Sequence, residues 1–125
     1  MSAHLHKYND ARPFTTEDGS EIRELLHPQR HGNLRQSLAE ATVYSGQRTA
    51  LHRHLNSEEI YHFIAGQGTM TLGDESFPVG PGDTVLIPPG TPHCLHNTWP
   101  MELRLLCCCS PAYAPADTEI LAPAG

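Results

Sequence analysis

The chain has 125 residues, the usual size of one domain and enough to bury a hydrophobic core. Its formal net charge is -6 at pH 7 and its 8 lysines and arginines are scattered, so we expect neither nucleic acid nor an anionic membrane as a partner. The sequence has no apolar run of the roughly 18 residues that a membrane span needs. Its first residues also lack the apolar core of a signal peptide, which predicts a cytoplasmic protein.

Turn-forming residues divide the chain into short segments, because 11 prolines and 10 glycines separate short apolar runs. We predict an N-terminal arm over 1–19, a β-barrel over 20–110 and a C-terminal tail over 111–125. Residues 20–26 read as a strand or a helical turn, and residues 27–33 as a loop. Predicted strands follow at 34–44, 59–65, 69–72, 75–79, 83–87, 93–98 and 101–109. About seven or eight short strands at even spacing are typical of an all-β antiparallel sandwich or barrel.

The four cysteines give no disulfide or zinc framework. One is Cys94 and the other three are consecutive, Cys107 to Cys109. Neighbouring cysteines cannot bridge one another without strain, and the sequence has no CxxC pair. We therefore expect reduced cysteines that pack as small core residues, with a reactive thiol at an exposed position as the alternative.

Two histidines and a pair of carboxylates lie close together between residues 46 and 66. His52 and His54 are two residues apart, so on extended backbone their imidazoles point to the same face. A carboxylate one short bend later completes an N,N,O donor set for a divalent metal ion. Both Glu58 and Glu59 are in position to supply it.

Strand parity favours Glu59 over Glu58. On the strand that begins at residue 59, Glu59, Tyr61 and Phe63 share one face, because side chains alternate with a period of two. Glu58 would be out of phase with this aromatic wall. If Glu59 faces the histidines, the two aromatic side chains line the same cavity.

A rigid turn supplies a further imidazole downstream. Pro88 and Pro89 fix their own φ angles, and Gly90 permits a conformation that other residues avoid. This turn leads into His93, which we expect to point into the same cavity.

The stretches over residues 46–66 and 82–97 resemble the two motifs of the cupin superfamily. The first motif, G(X)5HXH(X)3–4E(X)6G, is matched by Gly46, His52, His54, Glu59 and Gly66. The second motif, G(X)5PXG(X)2H(X)3N, is matched by Gly82, Pro88, Gly90, His93 and Asn97. The resemblance covers residues 34–109, and ten positions in fixed register are far more specific than a lone HxH pair.

This resemblance implies a single-domain antiparallel double-stranded β-helix, or jelly-roll barrel, that forms a homodimer. It also implies one divalent transition metal held by His52, His54, Glu59 and His93. Such a donor set suits Fe, Mn, Ni, Cu or Zn and does not choose among them. Because these ions accept five or six ligands, one or two positions remain open for water, substrate or O₂.

The residues around the predicted metal are less informative. Tyr61 is a candidate for proton transfer, with a packing role as the alternative. We expect the other wall residues to be Thr49, Phe63, Met70, Leu95, Cys107 and Cys109. No cluster of lysine or arginine is placed to hold a phosphate. Residues 49–51 (Thr-Ala-Leu) also lack the arginine that oxalate-processing cupins carry before the HxH pair.

We therefore expect a metal-dependent oxidoreductase of dioxygenase type that acts on a small organic molecule in the barrel. A non-catalytic module that binds a small ligand or a metal is the first alternative. The second is a Zn- or Mn-dependent isomerase or lyase, similar to proteins described as mannose-6-phosphate isomerase-like.

Overall fold

The computed structural model describes residues 2–125, which form eleven β-strands and only single turns of helix. The strands are β1 (Phe14–Thr15), β2 (Glu21–Leu26), β3 (Ser37–Val43), β4 (Leu51–His54), β5 (Glu58–Ala65), β6 (Gly68–Leu72), β7 (Glu75–Val79), β8 (Thr84–Ile87), β9 (His93–His96), β10 (Leu103–Ser110) and β11 (Thr118–Ala122). The helical turns are α1 (Pro28–His31) and two 3-10 turns, Tyr8–Asp10 and Pro115–Asp117. Within residues 2–125, no helix is both long and apolar enough to cross a membrane.

The strands form two antiparallel sheets that face each other as a jelly-roll barrel, which confirms the predicted fold class. One sheet has the order β1-β2-β3-β10-β5-β8, and the other has the order β11-β4-β9-β6-β7. Their inner faces enclose the core, whose fully buried side chains include Phe63, Met70, Leu103 and Leu105. The alternation seen in the sequence sets this arrangement, since β5 buries Glu59, Tyr61 and Phe63 and turns the intervening residues outward.

Both ends of the chain contribute strands. β1 pairs with β2 at the edge of the six-stranded sheet, with Phe14 opposite Ile22. β11 pairs with β4 in the five-stranded sheet, with Thr118 opposite His54. The segment that we predicted as a tail therefore lies beside the strand that carries His52 and His54.

The segment predicted as a loop over residues 27–33 contains the helical turn α1. The His27 side chain accepts a hydrogen bond from the Gln29 backbone N–H, and Pro28 stands at the first helical position. Gly32 ends the turn with a φ of 79°, a conformation that glycine adopts without strain. Residues 21–26 form a strand, which settles the ambiguity left by their pattern.

An apolar strip on the outer face of β5 and β8 is exposed to solvent. Ile60 and Ile64 are each 40% exposed, and Leu86 on the neighbouring strand is 55% exposed. Between them, the imidazole of His62 and the hydroxyl of Thr84 lie 2.8 Å apart. The homodimer stays a prediction, and this face together with the N-terminal segment is where we expect its contact.

Two other residues of the sequence motifs, Asn97 and Gly66, make close contacts between separate segments of the barrel. The buried amide of Asn97 donates to the carbonyls of Val43 and Met101 at 2.9 and 2.8 Å, and its oxygen accepts from the Trp99 N–H at 2.9 Å. Gly66 has a φ of 80° and lies directly against β10. A Cβ added there would overlap the carbonyl oxygen of Glu102.

We predict that Gly66→Ala destabilises the fold by at least about 3 kcal/mol, because it combines left-handed backbone strain with a clash against backbone. Gly32→Ala is the matched control, since its φ of 79° is nearly the same and no atom lies within 4 Å of the added Cβ. Its expected cost is about 1 kcal/mol. Urea denaturation of both variants measures the difference. Equal losses would show that the contact with β10 is unimportant.

Candidate metal centre

Three buried imidazoles converge inside the barrel. His52 and His54 lie on β4, and His93 opens β9, where it pairs across the sheet with His52. One nitrogen from each ring lies within 4.8 Å of the nitrogens of the other two rings. The turn that delivers His93 is tied to β4, because the Gly90 N–H donates to the His54 carbonyl at 2.6 Å.

Backbone carbonyls orient two of the imidazoles. Nδ1 of His52 lies 2.8 Å from the carbonyl oxygen of Ala50, and Nδ1 of His93 lies 2.9 Å from that of Thr91. A carbonyl oxygen only accepts hydrogen bonds, so each Nδ1 carries the proton. When each ring is neutral, its lone pair is therefore on Nε2, which is the atom that faces the cluster.

The third imidazole is oriented by a residue near the end of the chain. Nδ1 of His54 lies 3.0 Å from Oγ1 of Thr118, whose hydroxyl donates to the carbonyl of Ala114 at 3.1 Å. With its proton used in this way, the hydroxyl oxygen accepts from Nδ1 of His54. In the neutral ring, Nε2 of His54 then also carries the lone pair, which is the arrangement that metal-binding histidines require. Burial lowers the pKa of His54, but the facing Glu59 carboxylate raises it on balance, so a metal ion and a proton compete for this nitrogen.

Glu59 faces the cluster on the side of His54 and His93. Its Oε1 lies 3.2 Å from Nε2 of His54 and 3.3 Å from Nε2 of His93. Oε1 of Glu59 and Nε2 of His93 are buried without a hydrogen-bond partner among the described residues. Buried polar atoms are costly when unpaired, and a cation between these two would satisfy both. The competing carboxylate, Glu58, is exposed.

A thiol fixes the other oxygen of Glu59. The Cys109 Sγ–H donates to Oε2 of Glu59 at 3.2 Å, which leaves Oε1 for the imidazoles. Burial and the Glu59 charge raise the pKa of Cys109 far above its usual range, so the thiol stays protonated. Burial alone would raise the pKa of Glu59, but hydrogen bonding and positive charge from the imidazoles of His54 and His93, in their protonated forms, lower it to about 2. The carboxylate is therefore ionised.

A cavity of about 80 Å³ opens beside the cluster. Of the wall residues predicted from the sequence, Thr49, Leu95, Cys107 and Cys109 line it, together with Tyr61, His52, His54 and Glu59. Phe63 and Met70 were also predicted to line it, but they lie in the packed core with no exposed surface. His93 has no exposed surface either, and it belongs to the cluster without lining the cavity.

Tyr61 presents a neutral hydroxyl to this cavity. Its ring packs edge-on against the imidazole of His93, with 5.8 Å between the ring centroids. Burial and the negative charge of Glu59 raise the pKa of Tyr61 well above 10. The group therefore stays protonated at neutral pH, where it can donate a hydrogen bond and is a weak general acid rather than a base.

The sequence did not reveal the cavity residues that come from the two ends of the chain. Asp18 lies on the N-terminal side, with its Oδ2 3.8 Å from Nε2 of His52. Tyr113 and Thr118 come from the C-terminal side and line the same cavity. The Thr-Glu-Asp-Gly-Ser stretch at 16–20 is a turn signal, but a local signal does not show what the turn faces.

A protein-family model described as the cupin domain matches residues 39–109 of the chain. The chain belongs to the cupin family. This cupin is 51% identical over 115 residues to the uncharacterized protein MJ1618 of Methanocaldococcus jannaschii, and the match covers 92% of each chain.

Solved structures share the fold of this cupin. A predicted oxalate decarboxylase from Thermotoga maritima is 21% identical, with a TM-score of 0.75 over 86% of this chain and 98% of the other. The nucleoside dehydratase Pac13 from Streptomyces is 16% identical, with a TM-score of 0.73 over 94% of this chain and 90% of the other. At these identities the likeness concerns the fold alone.

The geometry and the family together point to a metal ion at the three histidines, of an identity that the donor atoms do not select. All three Nε2 atoms face one another, and each ring is held by its Nδ1 partner. The carboxylate beside them is ionised. This arrangement is a preorganised set of donors for one divalent cation.

We predict that Thr118→Val lowers metal affinity by about 10- to 100-fold, because the His54 imidazole loses the oxygen that fixes its tautomer. Thr118→Ser keeps the hydroxyl and should bind metal like the wild type. Competition with a chromophoric chelator measures both affinities. Wild-type affinity in the valine variant would show that the Thr118 contact does not orient the imidazole.

Proposed function

We propose that this cupin holds one divalent transition metal through His52, His54, His93 and Glu59, and that it is an enzyme for a small organic molecule. The observation that carries the proposal is the pair of buried, unpaired atoms that face each other at 3.3 Å, Oε1 of Glu59 and Nε2 of His93. Leaving them without a counter-ion would cost the fold stability. A site that serves only packing would not point the Nε2 atoms of three buried imidazoles toward one another.

The leading chemistry is oxidation of dioxygenase type. When bound, the ion supplies an open coordination position, Lewis acidity and, if redox-active, electron transfer with O₂. The chain's own residues position the substrate and exclude water, because the walls are largely apolar. They include Ala39, Ala41, Val43, Leu95 and Leu105. The Tyr61 hydroxyl is available to donate a proton to an oxygen of the substrate, and Glu59 contributes one negative charge.

A non-redox lyase or isomerase is the second candidate, favoured by the pair of proton-handling groups on the cavity. The neutral hydroxyl of Tyr61 and the carboxylate of Asp18 both line it, which is the equipment for moving a proton without an oxidant. The relative named as a nucleoside dehydratase shares the fold. Decarboxylation of oxalate is not favoured, since no lysine or arginine in residues 2–125 lines the cavity.

We expect oxygen consumption that is coupled to turnover when the protein is reconstituted with iron and offered small diols, thiols and keto acids. An oxygen electrode and product analysis measure it, with His52→Ala as the variant that should lose both metal and activity. Turnover that continues at the same rate without oxygen would replace the oxidoreductase with the lyase or isomerase. A co-purified ligand that stays unchanged with metal bound would instead indicate a binding module.

A further inference from the structure

The N-terminal segment closes over the cavity and brings a carboxylate with it. After β1, residues 16–20 form a turn in which the Thr16 N–H donates to the Ser20 carbonyl at 3.0 Å. The turn is joined to the barrel, because the Ala50 N–H donates to the carbonyl of Asp18 at 2.7 Å. Ala50 directly precedes the strand that carries His52 and His54. The position of Asp18 is therefore coupled to the position of the imidazoles.

The Asp18 carboxylate is held by one oxygen and presents the other. Oδ1 accepts three hydrogen bonds, from Thr16 Oγ1 at 2.6 Å, Ser20 Oγ at 2.6 Å and the Ser20 N–H at 2.9 Å. Oδ2 has no hydrogen-bond partner among the described residues and lies 3.8 Å from Nε2 of His52. That separation is too long for a hydrogen bond, so Oδ2 can accept from a molecule in the cavity.

Two carboxylates thus flank the imidazoles from different sides. Glu59 lies beside His54 and His93, while Asp18 lies beside His52. Two further acidic side chains, Glu17 and Glu24, line the same cavity, so its carboxylates outnumber the two positive charges of a divalent ion. Because no lysine or arginine of residues 2–125 lines the cavity, an anionic ligand would add charge that nothing there neutralises.

We propose that Asp18 is a specificity-determining residue, which selects neutral substrates with a hydroxyl or amine that donates to Oδ2 and rejects carboxylates and phosphates. The inference rests on the proposed function, since it concerns ligands that enter the same metal site. It gives the N-terminal segment a direct part in substrate recognition, where Thr16 and Ser20 are positioning residues for the carboxylate.

The test uses the full chain loaded with Co(II), with azide as an anionic probe and imidazole as a neutral probe that carries an N–H donor. The visible absorption of cobalt reports the affinity of each probe without any turnover. Wild-type protein should prefer imidazole. Asp18→Asn and Asp18→Ala should each shift the azide-to-imidazole affinity ratio toward azide by about tenfold or more, because a nearby negative charge is lost.

Asp10→Asn is the matched control, because it removes the same charge from another residue of the N-terminal segment, whose side chain is exposed and does not line the cavity. It should leave the probe ratio close to that of the wild type. An unchanged ratio in both Asp18 variants, or an equal shift in Asp10→Asn, would overturn the inference. Complete loss of cobalt from Asp18→Asn would overturn it as well, since Asp18 would then be a metal ligand.

Failure of the proposed function gives a different result. If the wild-type chain takes up no Co(II), the metal site itself is refuted and the role of Asp18 in it falls too. If the wild type binds cobalt and only the probe ratio fails to respond, the metal site stands and the role assigned to Asp18 is wrong. Urea denaturation of the cobalt-free variants shows that each remains folded.

Discussion

The architecture of the site depends on one electrostatic constraint. Three imidazole nitrogens and a carboxylate oxygen face one another inside the barrel, where their burial must be compensated. Oε1 of Glu59 has no hydrogen bond to offset its burial, and Nε2 of His93 is in the same position. Ionised and polar groups are retained in a protein interior only when something compensates them. A cation between them would compensate both groups at once.

The fold supplies this arrangement by aligning elements from distant parts of the sequence. β4 contributes two imidazoles to one face, the Pro-Pro-Gly turn delivers His93, and β5 contributes Glu59. Partners outside this set then fix each donor: two carbonyls and the Thr118 hydroxyl hold the rings, and the Cys109 thiol holds the carboxylate. The ends of the chain complete the cavity. The site is thus preorganised by the barrel and enclosed by its terminal segments.

The sequence predicted most of the strands and the central cluster because both depend on local patterns. Glycine and proline turns bound β6, β7 and β8, and strand alternation on β5 placed Glu59 and Tyr61 on one face. The contributions of Asp18 and Thr118 were not predictable in this way. Thr118 meets His54 across 64 positions of sequence, and that pairing depends on how β11 docks onto β4.

Local sequence patterns were also insufficient to predict which residues form the wall of the cavity. The alternation of side chains along β5 correctly predicted that Phe63 points inward. It does not predict whether an inward side chain lines a cavity or packs against other side chains. The packing of the opposite sheet decides this, and it leaves Phe63 and Met70 without exposed surface. The metal's identity lies outside any pattern, since nitrogen and carboxylate donors suit several ions.

The measurement that tests the central claim most directly is a crystal structure of metal-loaded protein with anomalous diffraction recorded at the absorption edge of the metal. We predict one anomalous peak per chain, bonded to Nε2 of His52, His54 and His93 and to Oε1 of Glu59, with Nδ1 of each ring still on its present partner. Metal–nitrogen distances should be about 2.1 Å. A peak elsewhere in the molecule, or an empty cluster in protein that contains one equivalent of metal, would contradict it.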